Sequence, residues 1–331
     1  MKLKIVTVLG KFIVGLFLIF PAGYVIADEI LGEVDSLNDV ALLTAEECDS
    51  LGNRHQALKW YKRAAEKGNP FAKFEMAWNY KSGVTSFSDK TYYILKPNAI
   101  LSDKYISEAV EPIKKMAEKG IARAQYYLAI MYGNGAGVEK NSSKSHQLYK
   151  ESLKNGYGVA GWQLAVQNEL LDFNKADPQK AIYWYTKSAK AGYVEAKMQL
   201  GHIYELGLKN DGRIGGPLVD KDKALFWYNE AAKDGHIRAY YAMASLLYPG
   251  PYKIEYEKQQ RADLCLKGAE KGDVDAMVCI GSSYHYGRGV KKDYKAARMW
   301  FQKAEELEKG SAINSLNYLD SEIEEHKRRH Q

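Results

Sequence analysis

A twelve-residue pattern that recurs along the chain constrains its fold more than any other feature. The sequence ALKWYKRAAEKG occupies residues 57–68, AIYWYTKSAKAG residues 181–192, and ALFWYNEAAKDG residues 224–235. Each copy is followed by a segment of the form A-x3-A/L/I-G/A-x2-Y. Repetition of a short helical unit is typical of a solenoid, in which each unit buries its apolar faces by stacking on its neighbours. Solenoids usually bind other molecules, so the pattern favours a binding protein over an enzyme.

The repeating units align on the glycine that ends each first helix. These glycines are Gly68, Gly120, Gly156, Gly192, Gly235 and Gly272. Their spacing indicates a unit of about 36 residues with two insertions. Glycine suits the residue after a helix, where a positive φ is required. An alanine lies four residues beyond each glycine, which predicts close contact between the paired helices.

This arrangement predicts an all-α protein, a right-handed α/α solenoid of about six helical-hairpin repeats with terminal capping helices. The repeats are expected over residues 54–320, with insertions at 84–103 and 208–222. A capping helix is expected within residues 28–53, and residues 321–331 are expected to form a charged helical tail whose end, at residues 326–330, is solvated and frayed.

Two units depart from the pattern. Pro112 stands at the tryptophan position of the second unit, which predicts a late start or a kink in that helix. The last unit lacks its glycine, and its second helix is expected at about residues 312–318.

The N-terminus has the three-part pattern of a secretory signal. Lysines precede an apolar run at residues 12–20, and small or branched residues lead up to Ala27. We expect cleavage after Ala27 and a periplasmic or secreted location. An uncleaved membrane anchor is the alternative, because residues 5–26 are long enough to span a bilayer. Lys11 and Pro21 within that stretch argue against it.

The motifs A-x2-WY-x2-A-A-x2-G and A-x3-LG-x2-Y-x2-G carry a family resemblance, clearest at residues 181–207. The chain resembles the Sel-one-like (Sel1-like) repeat family, a relative of the tetratricopeptide repeats, over residues 54–318. The resemblance implies hairpins stacked in a superhelix with a concave face. It also implies an adaptor role in protein–protein contacts, in bacteria often in the envelope or in host interaction. The signature residues of the family are packing residues, so the resemblance implies no catalytic group.

Three regions are candidates for binding a protein or peptide partner. The first insertion holds Phe87, Tyr92 and Tyr93, which are costly to expose without a partner. The second insertion is more polar and is the weaker candidate. The third candidate is the concave face. We expect it to carry basic residues of the first helices, namely Lys59, Lys62, Arg63, Lys187 and Lys190. An ordinary solvated helix surface is the other interpretation of these five residues.

Three cysteines give a hypothesis about cross-linking. Cys265 and Cys279 lie about seven residues on either side of Gly272, at similar heights on one hairpin. They are candidates for a disulfide bond, and two buried free thiols are the alternative. Cys48 would remain unpaired, and no CxxC or Cys/His pair has the spacing of a zinc site. His326 and His330 are four residues apart, but they lie in the tail without a third ligand.

Composition and motifs exclude several function classes. The formal net charge is +6, and the first 27 residues contribute three of the lysines and no acid, so a processed chain would carry +3. This modest, well-mixed charge does not indicate nucleic-acid binding. The Gly-rich turn at residues 133–138 lacks the pattern of a phosphate-binding loop.

The remaining alternative is a β-lactamase-like enzyme or cell-wall hydrolase of the cysteine-containing repeat subgroup. The sequence contains no S-x-x-K, HExxH or GxSxG motif. His202 and His285 are expected to be hydrogen-bonded structural residues. We therefore expect a non-catalytic scaffold without cofactor or metal, and contact with a membrane only if the N-terminal segment is retained.

Overall fold

The computed structural model describes residues 54–85, 93–170, 178–207, 219–247 and 255–329. Within these ranges the chain forms fourteen helices and one two-stranded β-hairpin. None of the helices described there is both long and apolar enough to cross a membrane. The expected signal sequence, the N-terminal capping helix, Cys48, Phe87 and Tyr92 lie outside the described residues.

The chain divides into two compact units, and the first is Met1–Tyr157. Its elements are α1 (Arg54–Glu66), α2 (Pro70–Ser82), β1 (Val84–Thr85), β2 (Tyr93–Leu95), α3 (Ala99–Glu118), α4 (Ala122–Asn134) and α5 (Ser142–Lys154). Helices α1 and α2 form one hairpin, and α3 and α4 form the next.

The second unit is Gly158–Gln331. Its elements are α6 (Gly158–Leu170), α7 (Pro178–Lys190), α8 (Val194–Leu206), α9 (Lys221–Lys233), α10 (Arg238–Leu246), α11 (Glu255–Glu270), α12 (Val274–Tyr286), α13 (Tyr294–Leu307) and α14 (Ile313–Arg329). Helices consecutive in the sequence pack against one another throughout this unit. The helical-hairpin repeat fold expected from the sequence is therefore confirmed.

The repeat glycines end the first helices as the sequence predicts. All six have a positive φ, between 76° and 97°. The residue after each glycine donates its N–H to a carbonyl five residues back, as Asn69 does to Ala64 and Tyr193 does to Ser188. These bonds satisfy carbonyl groups that the end of a helix leaves without an intrahelical partner.

Small residues bring the paired helices close together. The repeat alanine of every second helix is fully buried, at Ala72, Ala124, Ala160, Ala196, Ala239 and Ala276. Where a first helix has serine at a packing position, its hydroxyl finds a backbone acceptor. Ser188 Oγ donates to the carbonyl of Gly158 at 2.7 Å. The buried hydroxyl is thus satisfied, as burial in a close-packed layer requires.

The first insertion is partly regular structure. Val84 pairs with Leu95 and Thr85 with Tyr93 in an antiparallel hairpin. Helix α3 then starts at Ala99, because the Asn98 side chain accepts a hydrogen bond from the Leu101 N–H and caps the helix.

The late helix start expected from Pro112 is wrong. Helix α3 runs for 20 residues with Pro112 in its interior. The helix begins within the insertion, well before the proline, so Pro112 does not set its start.

A disulfide bond joins the hairpin formed by α11 and α12. Cys265 and Cys279, the two cysteines paired by the sequence hypothesis, are bonded with their Cα atoms 5.8 Å apart. Both side chains are buried in a core cluster that also holds Ile280, Trp300 and Phe301. The bond therefore links two helices inside the core of the second unit.

The last helix is longer than the sequence predicts. Helix α14 extends to Arg329, well beyond the expected end at residue 318. Leu319 of this helix is fully buried, and Ile323 packs against the same core cluster. Apolar residues on one face of α14 thus hold it against the last repeat, because burying them removes apolar surface from water.

Candidate functional site

One position of the first helices is exposed in every repeat. It lies immediately before the tryptophan of the A-x2-WY pattern, and we call it the X position. Its seven occupants are Lys59, Glu111, Gln147, Tyr183, Phe226, Asp263 and Met299, and all are exposed. The residues that flank the X position in the pattern are the packing residues, so successive steps of about 100° leave X facing away from the core.

The chemistry of the X position differs between the two units. In the first unit it holds the polar residues Lys59, Glu111 and Gln147. In the second unit Tyr183 is 51% exposed, Phe226 55% and Met299 51%. Large apolar side chains at half exposure leave apolar surface in water, and clustered surface of that kind marks interaction sites.

The two aromatic residues are held in the same way. The ring of Tyr183 packs edge-on to Trp184 with centroids 4.9 Å apart, and the ring of Phe226 packs edge-on to Trp227 at 5.2 Å. Trp184 and Trp227 both pack against one core cluster that includes Tyr185. The two hairpins therefore present their X aromatics from a common, rigid base.

The basic residues proposed from the sequence lie on the same helix face as X. Lys59 occupies X itself in α1, Arg63 and Lys187 lie four residues after X, and Lys190 lies seven after it. Lys62 is exposed and 3.9 Å from Glu66, one turn along its own helix. Arg63 stacks over Trp60 with its guanidinium 5.3 Å from the ring centroid. The first three of these residues lie in the first compact unit and the last two in the second.

Sequence reasoning missed Tyr183, Phe226 and Met299. It treated the aromatics of the repeat as packing residues, which holds for the tryptophan and the tyrosine after X. A signal was available, because the same alignment column carries lysine, glutamate and glutamine in the first unit. A column that accepts charged residues in some repeats is solvent-exposed in all of them.

A second candidate lies in the first unit, beside the insertion. A groove of 240 Å³ runs between α2 and α3 and is lined by Trp78, Lys81, Asp103, Ile106 and Gly137, among others. Trp78 is 38% exposed, and Lys81 Nζ lies 5.3 Å from its ring centroid. Of the insertion aromatics, Tyr93 pairs through its backbone with Thr85.

The Gly-rich turn after α4 serves packing. Gly137 has a φ of +68°, and a Cβ there would lie 2.4 Å from Val110 Cγ2 and 2.6 Å from Ile106 Cγ2. Glycine is thus required for both the backbone conformation and the close approach to α3. This packing role accounts for the turn without a bound phosphate.

His202 belongs to a polar cluster between α8 and α9. Tyr228 donates a hydrogen bond to Glu205, and its hydroxyl lies 3.2 Å from His202 Nδ1. Burial lowers the pKa of His202, so its imidazole is neutral at pH 7. Burial first, and then the contact with Glu205, raises the pKa of Tyr228. The cluster is a hydrogen-bonded structural one, as the sequence suggested for this histidine.

His285 belongs to a second cluster, which fastens α14 to the last repeat. The side chain is 2% exposed, and its Nε2 lies 2.7 Å from Glu322 Oε2. Glu322 Oε1 accepts hydrogen bonds from Tyr294 at 2.8 Å and Lys292 at 3.2 Å. These bonds, the one from Tyr294 foremost, lower the pKa of Glu322 to about 2. The carboxylate is thus ionised and saturated with donors, which suits a latch between helices.

Within the described residues no group of three or more His, Cys, Asp or Glu side chains is arranged to hold a metal ion.

Comparison with known proteins finds a repeat family. The model of the Sel1 repeat matches residues 48–69, 122–157, 173–193, 194–236 and 274–308. These stretches lie in both compact units.

Two solved structures are similar to this chain. One is a protective antigen present in uropathogenic Escherichia coli strains and displaying an SLR fold, with a TM-score of 0.50 and 23% identity over 86% of this chain and 64% of that one. The other is a Sel1 repeat protein from Oxalobacter formigenes, with a TM-score of 0.50 and 25% identity over 62% of this chain and 79% of that one. Both likenesses concern the fold.

The curated relatives that match this chain extend well beyond the matched region. An uncharacterized protein of Neisseria meningitidis is 22% identical over 284 residues, which are 80% of this chain and 56% of that protein. Chitin synthase regulatory factor 3 of Schizosaccharomyces pombe is 28% identical over 256 residues, which are 75% of this chain and 25% of that protein. The chain thus spans about half of the first relative and a quarter of the second.

Proposed function

This chain belongs to the Sel1-repeat proteins, which are generally protein-interaction scaffolds, and from that premise we propose how it binds. The proposal is a non-catalytic scaffold that holds a protein or peptide partner on the exposed X face of its first helices. Tyr183 and Phe226 are the central anchors.

One observation carries the proposal. The X position is exposed in all seven first helices, yet in the second unit three of its four occupants are large and apolar. Packing cannot explain these residues, because their half-exposed side chains leave apolar surface in water. Partly exposed aromatic residues are the type that contributes most to binding when a partner covers them.

Photo-crosslinking tests this assignment. A benzoylphenylalanine replacing Phe226 is expected to form a covalent adduct with a protein partner in cell extract, and the adduct can be identified by mass spectrometry. The matched control carries the same photoreactive residue in place of Lys119, an exposed residue in the turn after α3. Adducts of equal yield at both positions would contradict a binding site on the X face.

The insertion is the alternative binding region within this function. The exposed Trp78 of α2, which lies beside the insertion, and the adjoining groove support it. Deletion of residues 86–92 is expected to leave the adduct at position 226 unchanged. Loss of that adduct on deletion would transfer the site to the insertion.

We also propose that the protein is exported, with cleavage after Ala27. The N-terminal pattern of lysines and apolar residues supports this. The disulfide between Cys265 and Cys279 supports it as well, because such bonds persist in oxidising compartments. N-terminal sequencing of the protein purified from its own cells tests the proposal, and a mature chain that begins before residue 28 would contradict cleavage there.

The β-lactamase-like alternative is not favoured, because family and fold both point to a non-catalytic scaffold. We expect no turnover of a chromogenic β-lactam above a heat-inactivated control. Robust turnover that follows the protein through purification would reject the scaffold proposal.

A further inference from the structure

We propose that the partner of the X face is an acidic protein segment that carries aromatic or aliphatic anchor residues. The inference rests on the proposed function and names the chemistry of the partner. The surface concerned is formed by Tyr183, Phe226 and the lysines of α7, and we call it the aromatic–lysine face.

The charged residues of helix α7 are all positive. Its sequence, PQKAIYWYTKSAK, contains three lysines and no acidic residue. Lys180, Lys187 and Lys190 lie three residues before, four after and seven after Tyr183. At these spacings a helix places all three within about 60° of the X position. The three lysines therefore lie on the same face of α7 as the exposed ring of Tyr183.

Helix stability explains only part of this charge. Lys187 and Lys190 lie in the last turn of α7, where positive charge interacts favourably with the helix dipole. Lys180 lies in the first turn and has an interaction partner of its own, so the charge available to a ligand is that of Lys187 and Lys190. Among the described residues, no acidic side chain pairs with Lys187 or Lys190.

The next hairpin continues the apolar part of the surface while its charge is locally balanced. Phe226 is the large exposed aromatic residue of α9, and it occupies the same repeat position as Tyr183. Lys223 pairs with Asp220 at 3.0 Å, and Lys233 pairs with Glu230 at 2.6 Å. The excess positive charge therefore lies on α7, next to Tyr183.

The aromatic rings are ready to bind without large rearrangement. Tyr183 and Phe226 are braced edge-on by the tryptophans that follow them, and Lys187 Nζ lies 5.5 Å from the centroid of the Tyr183 ring. Rigid aromatic anchors lose little conformational freedom on binding, which favours affinity. A partner with apolar side chains for these rings and carboxylates for the lysines would complement both parts of the face.

This combination favours a protein segment over another polyanion. Binding a nucleic acid would use many phosphate contacts along a continuous basic stripe, whereas the excess lysines here belong to one helix. An anionic membrane would engage a broader basic surface with exposed apolar residues. Both remain as outcomes of the test below.

The experiment selects peptides without prior choice of sequence. A random library of displayed twelve-residue peptides is selected on the full chain and counter-selected on the Y183A/F226A variant. Because both residues are exposed, this variant is expected to keep the thermal unfolding midpoint of the wild type. Selected peptides are labelled, and their affinity is measured by fluorescence anisotropy.

Two charge-reversed variants provide the comparison. K187E/K190E changes the aromatic–lysine face, and K119E/K140E makes the same change of charge at two exposed residues of the loops beside α3 and α5. We expect selected peptides to be rich in Asp and Glu around aromatic or aliphatic residues. We expect K187E/K190E to weaken binding at least tenfold and K119E/K140E less than twofold, with weaker binding at higher salt.

Three results would overturn the inference. Selected peptides that are neutral or basic, yet lost on the Y183A/F226A variant, would reject the acidic partner and leave the scaffold proposal standing. Equal competition by oligothymidylate or by phosphatidylserine vesicles would assign the face to another polyanion. No enriched peptide, together with no crosslink at position 226, would reject the proposed function as well.

Discussion

The disulfide between Cys265 and Cys279 gives a prediction whose size follows from the structure. The two cysteines are 14 residues apart in the sequence and lie on paired helices in the core of the second unit. Breaking the bond changes no side chain other than the two thiols. Reduction therefore isolates the effect of the cross-link on the unfolded chain.

The expected magnitude comes from the closed loop. A loop of about 15 residues restricts the unfolded chain by about 3 kcal/mol at 25 °C. For a unit the size of residues 158–331, each kcal/mol shifts the melting temperature by about 2–4 °C. Reduction is thus expected to lower the melting temperature of the second unit by about 6–12 °C.

Thermal unfolding of the oxidised and reduced protein, followed by circular dichroism, measures this shift. The experiment is performed in a C48A background, so that the third thiol cannot exchange with the bond. The C265A/C279A variant, which cannot form the bond, should have a melting temperature no higher than that of the reduced protein. A shift below about 1 °C on reduction would refute the view that this bond stabilises the unit by restricting its unfolded state.

Two further predictions concern stability. Gly137→Ala should cost about 2–4 kcal/mol in urea unfolding, because a Cβ would contact Val110 at 2.4 Å where φ is also positive. Gly156→Ala is its control: φ is +93° there and no atom lies within 4 Å, so the cost should be about 1–2 kcal/mol, and equal costs would reject the packing argument. The pKa of Glu322 is lowered from 4.5 to about 2, so its stabilisation is complete above about pH 4.5 and is lost as the pH falls towards 2. Glu322→Gln should lower the melting temperature at pH 7, and its difference from wild type should shrink over that pH interval; a constant difference would argue against an ionised latch to His285.

The repeat pattern predicts the fold because its residues act locally. A glycine four residues before a buried alanine ends a helix through its own backbone, whatever lies around it. The positive φ of Gly68 and the full burial of Ala72 therefore follow from the sequence alone. The spacing of Cys265 and Cys279 likewise fixes their heights on one hairpin.

The misjudged elements depend on longer-range contacts. The start of α3 is set by the Asn98 cap and by the insertion, so Pro112 alone does not predict it. The sequence predicts that the last helix ends near residue 318 and that a charged tail follows. The helix continues beyond that residue because Leu319 and Glu322 contact the last repeat, and no local sequence pattern predicts those contacts.

The proposed binding face can be predicted from the sequence only when the solvent exposure of each repeat position is known. Repeat positions that carry lysine are expected on a helix surface, and this reasoning selects Lys187 and Lys190 as candidate binding residues. Tyr183 and Phe226 were hidden because each adjoins a tryptophan and tyrosine that are packing residues. The structure separates the two roles, since the ring before the tryptophan faces solvent and the ring after it is buried.

The central claim is that the X aromatics bind the partner and contribute little to the stability of the fold. Its most direct test is the affinity of the partner identified by crosslinking at position 226, measured by calorimetry for wild type and for Y183A/F226A. We expect the variant to bind at least about tenfold more weakly, a loss of about 1.4 kcal/mol or more, while its free energy of unfolding stays within about 0.5 kcal/mol of wild type. Unchanged affinity in a stably folded variant would contradict the claim.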